Sequence, residues 1–407
     1  MIRQFYRVGM RIMKVMEPLL APFHAGARGR CKMKKTEVSW PTSPVWIHCA
    51  SAGEWEQIRP VAEALKAWRP DLPILLSFYS PSGFFAPGQK FPADAVVGFP
   101  VDTPEDAARF LTLSKPRLAL FVKSEIWLHM WEELHRRQIP TVLVAARWGK
   151  SRFLEKSWAK PWRQVLEKAA FISTQDEDTT AWCRRHLGTL VSVHCDGDSR
   201  VERVKAIAAS PWENEPTWPF PEKVAIAGSI WPEDIAALTA LIEVDSSVLW
   251  VVAPHQMQPS FLAALDKQWA GKTQRWTRLE KGEPWQSPNV IILDVLGQLS
   301  KCYRLGKVAY VGGGFGKQVH NVLEPAVYGL PVLFGPRFQR SREADIFVKM
   351  GVAFSGKKPR DFIPNYTVWM QDSEYYAKTK SLIHKWFKAQ SPTSTRVLEQ
   401  IKLILRF

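Results

Sequence analysis

The stretch WIHCASAGEWEQIRP at residues 46–60 decides the architecture predicted for this chain. Its apolar run ends at Cys49 and predicts a buried strand, the small residues after it predict a tight turn, and a helix is expected to start near Glu54. Similar apolar runs lie at 74–78, 118–122, 141–145 and 171–173, with helical patterns between them. Continuous apolar strands that alternate with helices indicate an open parallel sheet with right-handed crossovers.

The second half of the chain repeats this architecture without a detectable sequence repeat. Residues 210–223, SPWENEPTWPFPEK, carry four prolines and no periodicity, which is typical of a linker. Apolar runs then resume at 224–227, 248–252, 290–293, 308–311 and 331–334. We therefore predict two doubly wound, Rossmann-like α/β domains, 36–209 and 224–372, which face a cleft and place their ligand loops at the carboxyl ends of the strands. Residues 373–407 are expected to form helices that return toward the N-terminal domain.

Composition places the chain among folded globular proteins. It has 407 residues, of which 46% are hydrophobic and 23% charged, enough for two domains. Its five cysteines are scattered and never form CxxC, which argues against a disulfide framework or a zinc module. The longest uncharged run, 246–265, contains prolines and polar residues, so we predict no spanning helix; we also predict no signal peptide and a cytoplasmic location.

The net charge of +16 is concentrated at the N-terminus, where residues 1–35 hold nine basic side chains and one acidic one. On a helix Arg3, Arg7, Arg11 and Lys14 share one arc. The opposite side carries Ile2, Phe5, Ile12, Met13, Met16, Leu19 and Leu20. We expect this amphipathic leader to lie in a membrane interface with its cations beside anionic lipid. It could instead pack on its own domain with a solvated basic face, or bind nucleic acid, although no nucleic-acid module follows it.

Glu54 is the first candidate for chemistry. It lies where a buried strand, a small-residue turn and a helix start meet, and its carboxylate could accept a proton from an incoming hydroxyl. Gly53 beside it permits close backbone approach or a positive φ. The alternative is that Glu54 only satisfies the helix N-terminus, where acidic residues are favoured.

The second candidate is the segment that follows the strand at 308–311. Five residues, Gly312-Gly313-Gly314-Phe315-Gly316, precede HNVLEPAVYGLPVLFGP at 320–336. Asn321 and Glu324 resemble a capping pair at a helix start. Glu324 could also bind a ribose hydroxyl pair while the helix N-terminus meets a phosphate, and both interpretations can hold together.

Two D-x-D pairs resemble metal sites of some sugar transferases, but we expect no metal at either. Asp176 and Asp178 open a probable helix, and Asp196 and Asp198 can be neutralised by Arg200 and Arg203. The histidines at 48, 255 and 320 are not spaced as a local metal set. No cofactor is predicted.

Taken together, these segments resemble the transferases of Kdo, an eight-carbon acidic sugar, in lipopolysaccharide assembly. The resemblance covers most of residues 35–355 and rests on an ordered set of motifs. These are HCASAGE, FPVDTPEDAARFL, KPRLALFVKSEIW, AARWGKS, STQDED, GDSRVERV, IAGSIWPED and VGGGFGKQVHNVLEPAVYGLPVLFGP. The last block is the most specific, because it is similar to the family's glycine loop, H-N-x-L-E-P-A and P-V-x-x-G-P pattern.

The resemblance implies a GT-B fold and a reaction. Kdo would pass from CMP-Kdo to a lipid A precursor, by one inverting displacement, at the cytoplasmic face of the inner membrane. Glu54 matches the family's catalytic base and Glu125 a supporting acid, and Asn321 and Glu324 match CMP-binding positions. The rest of the substrate-binding set implied by the shared motifs is Ser51, Gly53, Arg147, Ser229, Pro254, His255, Gly313, Gly314, His320 and Arg337. No nucleic-acid partner is implied.

This chain departs from the family pattern in two places. Lys123 stands where the family has the first acid of E-x-E-x-W-P, and Pro254-His255-Gln256 replaces P-R-H. The nucleotide phosphate would then be met by the glycine loop, a helix N-terminus, or Arg337 and Arg340. Three other functions stay open: a GT-B transferase that uses a UDP- or GDP-sugar, a nucleic-acid-binding protein, and a catalytically inactive scaffold.

Overall fold

The computed structural model describes residues 1–85, 91–148 and 153–405 and divides the chain into two compact units. Unit 1 is Met1–Arg203 with Ser391–Phe407, and unit 2 is Val204–Gln390. Each unit contains a seven-stranded sheet whose strand pairs are all parallel among the residues described. The prediction of two doubly wound α/β domains is therefore confirmed.

Unit 1 has the strand order β3-β2-β1-β4-β5-β6-β7. Its strands are β1 Val45–Cys49, β2 Ile74–Phe78, β3 Ala95–Gly98, β4 Leu118–Val122, β5 Thr141–Ala146, β6 Phe171–Thr174 and β7 Ser192–Cys195. The helices up to the unit boundary are α1 Ile2–Leu20, α2 Ala25–Lys34, α3 Ala52–Trp68, α4 Pro81–Phe84, α5 Pro104–Ser114, α6 Leu128–Arg136, α7 Lys160–Leu166, α8 Glu177–Leu187 and α9 Arg200–Ala209.

Unit 2 has the strand order β10-β11-β9-β8-β12-β13-β14. Its strands are β8 Val224–Ile230, β9 Leu249–Pro254, β10 Thr273–Arg275, β11 Val290–Ile292, β12 Val308–Val311, β13 Val332–Phe334 and β14 Ala353–Ser355. The remaining helices are α10 Ile235–Ile242, α11 Pro259–Gln268, α12 Trp276–Glu280, α13 Leu299–Cys302, α14 Leu323–Ala326, α15 Arg342–Lys349, α16 Ile363–Gln371, α17 Ser373–Ala389 and α18 Thr393–Leu405. The last of these, α18, belongs to unit 1, where it packs on α3.

The central strands are apolar on both faces because both faces are covered. Side chains of β1 alternate between two cores: Trp46 packs with Leu75 on one side of the sheet, while Val45 and Ile47 pack with Leu76 on the other. Unit 2 has two equivalent cores. This double burial explains why continuous apolar runs identified these strands.

The proline-rich segment 210–223 differs from its prediction as a linker. Trp212, Trp218 and Phe220 pack into the core of unit 2, and the Trp212 indole N–H donates to Gln298 Oε1 at 2.9 Å. The boundary between the units lies earlier, between residues 203 and 204 inside α9. The aromatic side chains account for the difference, because burying them removes a large apolar area from water. Of the two C-terminal helices, α17 lies in unit 2 and only α18 in unit 1.

Three of the cations on the N-terminal helix α1 form ion pairs with acids of unit 1 and stay about half exposed. The pairs are Arg3 with Glu132 at 2.6 Å, Arg11 with Glu105 at 2.5 Å and Lys14 with Asp106 at 2.7 Å. The large apolar side chains that α1 leaves more than half exposed are Phe5, Val8, Ile12, Val15 and Leu19. These pairs agree with the alternative in which the helix packs on its own domain, and the membrane position of the leader stays a prediction. Within the described residues, no helix has the length and hydropathy needed to span a bilayer.

Candidate functional site

Three predicted residues of unit 1 lie at one edge of its sheet. Glu54 follows β1, Glu125 follows β4 and Arg147 follows β5, and these strands are neighbours in the order β1-β4-β5. The carboxyl ends of parallel strands meet at the same edge, which is where open α/β sheets bind ligands. The motif residues 149–151, which follow Arg147, lie outside the described part of the chain.

Glu54 is nearly buried in the first turn of α3. Its Oε2 accepts a hydrogen bond at 2.5 Å from the backbone N–H of Ala50, the residue before the N-cap Ser51, and not from an N–H of the helix itself. Burial, and then the charge of Glu125, raise its pKa from 4.5 to about 7, against the effects of the Ala50 N–H and Lys123. A carboxylate with this pKa can hold a proton and release it near neutral pH.

The two small residues beside Glu54 leave space at the start of α3. Ser51 is the N-cap residue, but its side chain accepts no capping hydrogen bond. Gly53 has helical backbone and no positive φ, so that part of its prediction is wrong. A Cβ at Gly53 would meet nothing closer than Ser51 Oγ at 3.9 Å. The close-approach interpretation of Gly53 therefore stays a prediction.

Glu125 is held by donors that Glu54 lacks. Its Oε2 accepts a hydrogen bond from the Trp127 indole N–H at 2.8 Å and lies 3.7 Å from Nε2 of the fully buried His48. The other ring nitrogen of His48 lies 2.9 Å from Ser77 Oγ, which accepts the Trp46 indole N–H at 2.8 Å. The Ser77 hydroxyl has one hydrogen, which it can donate to His48 Nδ1; in that tautomer the Nε2 hydrogen of His48 faces Glu125, at a distance longer than a hydrogen bond. This buried series of contacts from Trp46 through Ser77 and His48 to Glu125 was not predicted from the sequence.

Lys123, the first departure from the family pattern, has a left-handed backbone with φ of 59°. Its N–H donates to Val144 O at 2.9 Å, which ties it to the neighbouring strand β5. Its positive charge lowers the pKa of Glu54 and of Asp198, opposing the effect of Glu125 on Glu54. A cation at this position therefore moderates the basicity of Glu54.

Arg147 lines a cavity of about 260 Å³. The other lining residues are Ser124, Ile126, Trp148, Phe153, Leu154 and Trp162. The Arg147 guanidinium lies 3.3 Å from Asp176 Oδ2, and this pair joins the first D-x-D segment to the cavity. Aromatic walls with one cation suit the face of a sugar that carries an anionic group.

In unit 2, the predicted residues gather at the carboxyl ends of four neighbouring strands. Ser229 lies near the end of β8, Pro254 ends β9, the glycine loop follows β12, and Arg337 follows β13. A Cβ at Gly312 would lie 2.3 Å from Ser229 O, and one at Gly314 would lie 2.6 Å from Gly335 N. These glycines therefore allow the backbones of neighbouring strand ends to touch. The Arg337 guanidinium donates to Gly316 O, which places its cation on this loop.

Three aromatic rings form one group at this edge. The Trp231 indole N–H donates to His320 Nε2 at 2.8 Å, and the two rings are parallel within 5°. His255 stacks on both, with ring centroids 4.6 Å from Trp231 and 4.3 Å from His320. Burial and the neighbouring His255 lower the pKa of His320 to about 4, and burial lowers that of His255. Both imidazoles are therefore neutral at pH 7, so they offer stacking surface instead of the charge of an arginine.

Asp234 holds the backbone beside this aromatic group through hydrogen bonds. It is buried, and it accepts hydrogen bonds from the backbone N–H groups of Trp231 and Gly313 and from the Tyr310 hydroxyl, each at 3.0 Å. Burial raises its pKa, whereas the three donors lower it. Neither Trp231 nor Asp234 was predicted as a site residue, although both lie in the motif IAGSIWPED. Their spacing of three residues within that motif was the available signal.

Asn321 and Glu324 are in direct side-chain contact, but Val322, and not Asn321, is the N-cap residue of α14, so the prediction of Asn321 as N-cap is wrong. Asn321 Oδ1 accepts a hydrogen bond from Leu323 N–H at 3.1 Å, and its Nδ2 donates to Glu324 Oε1 at 3.0 Å. Helix α14 is a single turn of four residues. The proposed helix-terminus contribution to phosphate binding is therefore weak, because a short helix aligns few peptide dipoles.

The D-x-D pairs have structural partners. Asp176 caps α8 by accepting from Thr179 N–H at 2.8 Å, and Asp198 pairs with Arg200. Arg203 pairs with Glu56 instead, so its expected neutralisation of the second D-x-D pair is wrong. Within the described ranges, no group of three or more His, Cys, Asp and Glu residues could hold a metal ion.

Comparisons with known proteins identify a family and a fold to which the chain is similar. Residues 24–203 match the family model described as 3-Deoxy-D-manno-octulosonic-acid transferase (kdotransferase). The 3-deoxy-D-manno-octulosonic acid transferase of Bordetella pertussis is 27% identical over 319 residues, covering 74% of this chain and 73% of the relative. That of Aquifex aeolicus is 26% identical over 333 residues, covering 79% and 85%. The solved UDP-GlcNAc 2-epimerase of Neisseria meningitidis has a TM-score of 0.60 at 13% identity, covering 88% of this chain and 99% of its own, a likeness of fold alone.

The fold and these relatives define the class of protein: the chain is a glycosyltransferase of GT-B-like fold. Within that class, its resemblance to the Kdo transferases is confirmed, because the family domain occupies residues 24–203 and relatives of that name align with about three quarters of the chain.

Proposed function

We propose that this protein transfers Kdo from CMP-Kdo to a lipid A precursor at the cytoplasmic face of the inner membrane. The observation that carries the proposal is Glu54, a nearly buried carboxylate at the carboxyl edge of the sheet whose pKa is raised to about 7. The names of the relatives in Bordetella pertussis and Aquifex aeolicus supply the sugar.

Glu54 acts as general base. Its carboxylate takes the proton of an acceptor hydroxyl while that oxygen attacks the anomeric carbon of Kdo from the face opposite CMP. The bond from that carbon to the CMP phosphate oxygen breaks, and the configuration inverts. Ser51 and Gly53 leave room beside the carboxylate, and the cavity at Arg147 suits an anionic acceptor sugar. General base assistance contributes about 10²–10⁴-fold to the rate.

Unit 2 binds the nucleotide. Glu324, oriented by Asn321, binds the ribose hydroxyls, and Arg337 at the glycine loop meets the phosphate. His255 and His320 give a neutral aromatic surface at the same edge, where the family pattern has an arginine. The growing charge of the leaving phosphate is then stabilised by Arg337 and by backbone N–H groups, without a metal ion.

The membrane association uses the apolar side chains that α1 exposes. Phe5, Val8, Ile12 and Val15 are each more than half exposed, whereas three cations of the helix are paired with unit 1. Such side chains insert at the boundary between headgroups and acyl chains. This position brings the enzyme to a lipid acceptor.

The decisive experiment compares Glu54→Gln with Glu63→Gln, a matched change on the exposed side of the same helix. Transfer from CMP-Kdo to a tetraacylated lipid A precursor is followed by mass spectrometry, and CMP binding by calorimetry. We expect E54Q to lose transfer by about 10²–10⁴-fold and to keep CMP affinity, while E63Q stays active. Full activity of E54Q would refute the base assignment. Transfer from a UDP- or GDP-sugar, with none from CMP-Kdo, would refute the donor.

A further inference from the structure

A groove of about 430 Å³ lies under α1 and α2 in unit 1, away from the residues assigned above. Its walls come from α2, from the segment before β1, from β3 and from α5. The apolar lining includes Met33, Val38, Trp40, Val97, Phe110 and Leu113. Leu113 is 46% exposed at the rim, whereas Met33, Val97 and Phe110 are buried and form the floor.

The mouth of this groove has an excess of positive charge. Lys14 and Lys34 on its wall are paired with Asp106 and Glu17. Lys35 and Arg109 also line it and are exposed, and neither side chain has a hydrogen bond or ion pair with another described residue. An occupant is therefore expected to be apolar along its length and anionic at one end.

Helix α1 contributes both to the groove and to the exposed apolar side chains of unit 1. Pro18 lines the groove, and Val15, three residues earlier on the same helical face, is 62% exposed. The groove also reaches the end of β3 at Gly98, two strands from β1 in the sheet. Two strand spacings are about 10 Å, so the part of the groove at Gly98 lies about that far from the end of β1, which Glu54 follows.

A peptide strand does not fit here, although β3 is an edge strand. Helix α2 covers this edge so closely that a Cβ at Gly98 would lie 3.0 Å from Met33 Cβ and 3.3 Å from its carbonyl carbon. The backbone groups that a peptide would pair with are therefore screened. Apolar walls without an accessible strand edge favour a flexible hydrocarbon chain.

We propose that this groove binds an acyl chain of the anionic lipid acceptor, with Lys35 and Arg109 meeting its headgroup phosphate. The inference rests on the proposed function, because it assigns a binding site to the acceptor of that reaction. Removal of one methylene from a fully enclosed chain weakens binding by about fourfold, so filling the groove should have a large effect on acylated acceptors.

The test compares two acceptors with the same phosphorylated sugars, one acylated and one with its acyl chains removed, both with CMP-Kdo as donor. Val38→Trp fills the groove, and Leu190→Trp is its control at an 82% exposed site of unit 1. The double variant Lys35→Gln, Arg109→Gln removes the two cations of the groove. Its control is Arg185→Gln, at an exposed position of α8. We expect V38W to lower the ratio of kcat/KM for the acylated over the deacylated acceptor by at least about tenfold. We expect the double variant to raise KM for both acceptors, and neither control to change the ratio.

A binding measurement separates the failure of this inference from the failure of the proposed function. Dibrominated stearate should quench the fluorescence of Trp40, and Trp40→Phe should remove that part of the quenching. An unchanged acceptor ratio in V38W together with unchanged quenching in W40F would overturn the groove assignment. Should the wild-type chain transfer to neither acceptor, the proposed function is wrong, and the quenching alone decides whether the groove binds acyl chains.

Discussion

Replacing Glu54 by Gln should make the protein more stable at alkaline pH while it abolishes transfer. Burial and the charge of Glu125 raise the pKa of Glu54 from 4.5 to about 7, so the folded protein holds this proton more tightly than the unfolded chain does. As pH rises from about 4.5 through about 7, the wild type therefore loses stability. A glutamine has no charge to bury and can still accept the Ala50 N–H.

The size of the effect follows from the pKa. At about 1.36 kcal/mol per pH unit, the change from 4.5 to about 7 corresponds to roughly 3 kcal/mol as an upper limit. The free energy of unfolding of E54Q should equal that of the wild type at pH 4 and exceed it by about 1–3 kcal/mol at pH 8. Urea unfolding at both pH values measures this difference, with E63Q as the control on the same helix. A difference independent of pH would refute the environment assigned to Glu54.

Four further substitutions test other parts of the site. Glu125→Gln should move the acid limb of the kcat/KM profile to lower pH and Lys123→Met should move it to higher pH, because their charges act on the pKa of Glu54 in opposite directions; equal midpoints would contradict this. Glu324→Gln should raise the donor KM and weaken CMP binding by calorimetry, whereas unchanged binding would leave Glu324 a capping residue. His255→Arg should tighten CMP binding by about tenfold, since hydrogen bonds to charged groups contribute about 1.5–3 kcal/mol; looser binding would show that the aromatic group is needed intact.

The membrane proposal is tested by serine substitutions on α1 at Phe5, Ile12 and Leu19. Flotation with anionic vesicles should show less bound protein, and added salt should change the wild-type binding little, because the contact is apolar. Loss of binding in high salt without any effect of the substitutions would instead assign the attraction to cations.

The sequence pattern predicted the central strands of both sheets but not the outermost strands. The strands β3, β7, β10 and β14 were not predicted, and all four are the outermost strands of their sheets. A central strand is covered on both faces, so its residues form a continuous apolar run. An edge strand has one neighbouring strand, and its faces are less completely buried. In β10, Thr273–Arg275, the two polar end residues are partly exposed. No apolar run marks such a segment.

The sequence also predicted which residues meet at a strand edge, but not their partners. Asn321 and Glu324 are three apart, so their contact follows from local spacing. His255 and His320 are 65 positions apart in the sequence. They meet because His255 follows β9 and His320 follows β12, and the sheet order β9-β8-β12 brings the ends of these strands to the same edge. The ion pairs of Arg3 and Arg11 on α1 depend in the same way on acidic residues that lie far away in the sequence, in α6 and α5. Contacts of this kind depend on strand order, which a linear pattern does not contain.

Three glutamates at these edges show how the surroundings assign different roles to one side chain. Glu125 accepts the Trp127 indole N–H and faces His48, and Glu324 accepts the Asn321 amide. Glu54 has a single backbone donor, is nearly buried, and lies under the charge of another carboxylate. Donors favour a charge that stays in place, whereas burial and a like charge favour uptake of a proton. Of the three, Glu54 is therefore the one suited to accept a proton from an attacking hydroxyl in the proposed reaction, while the contacts of the other two suit them to bind hydrogen-bond donors.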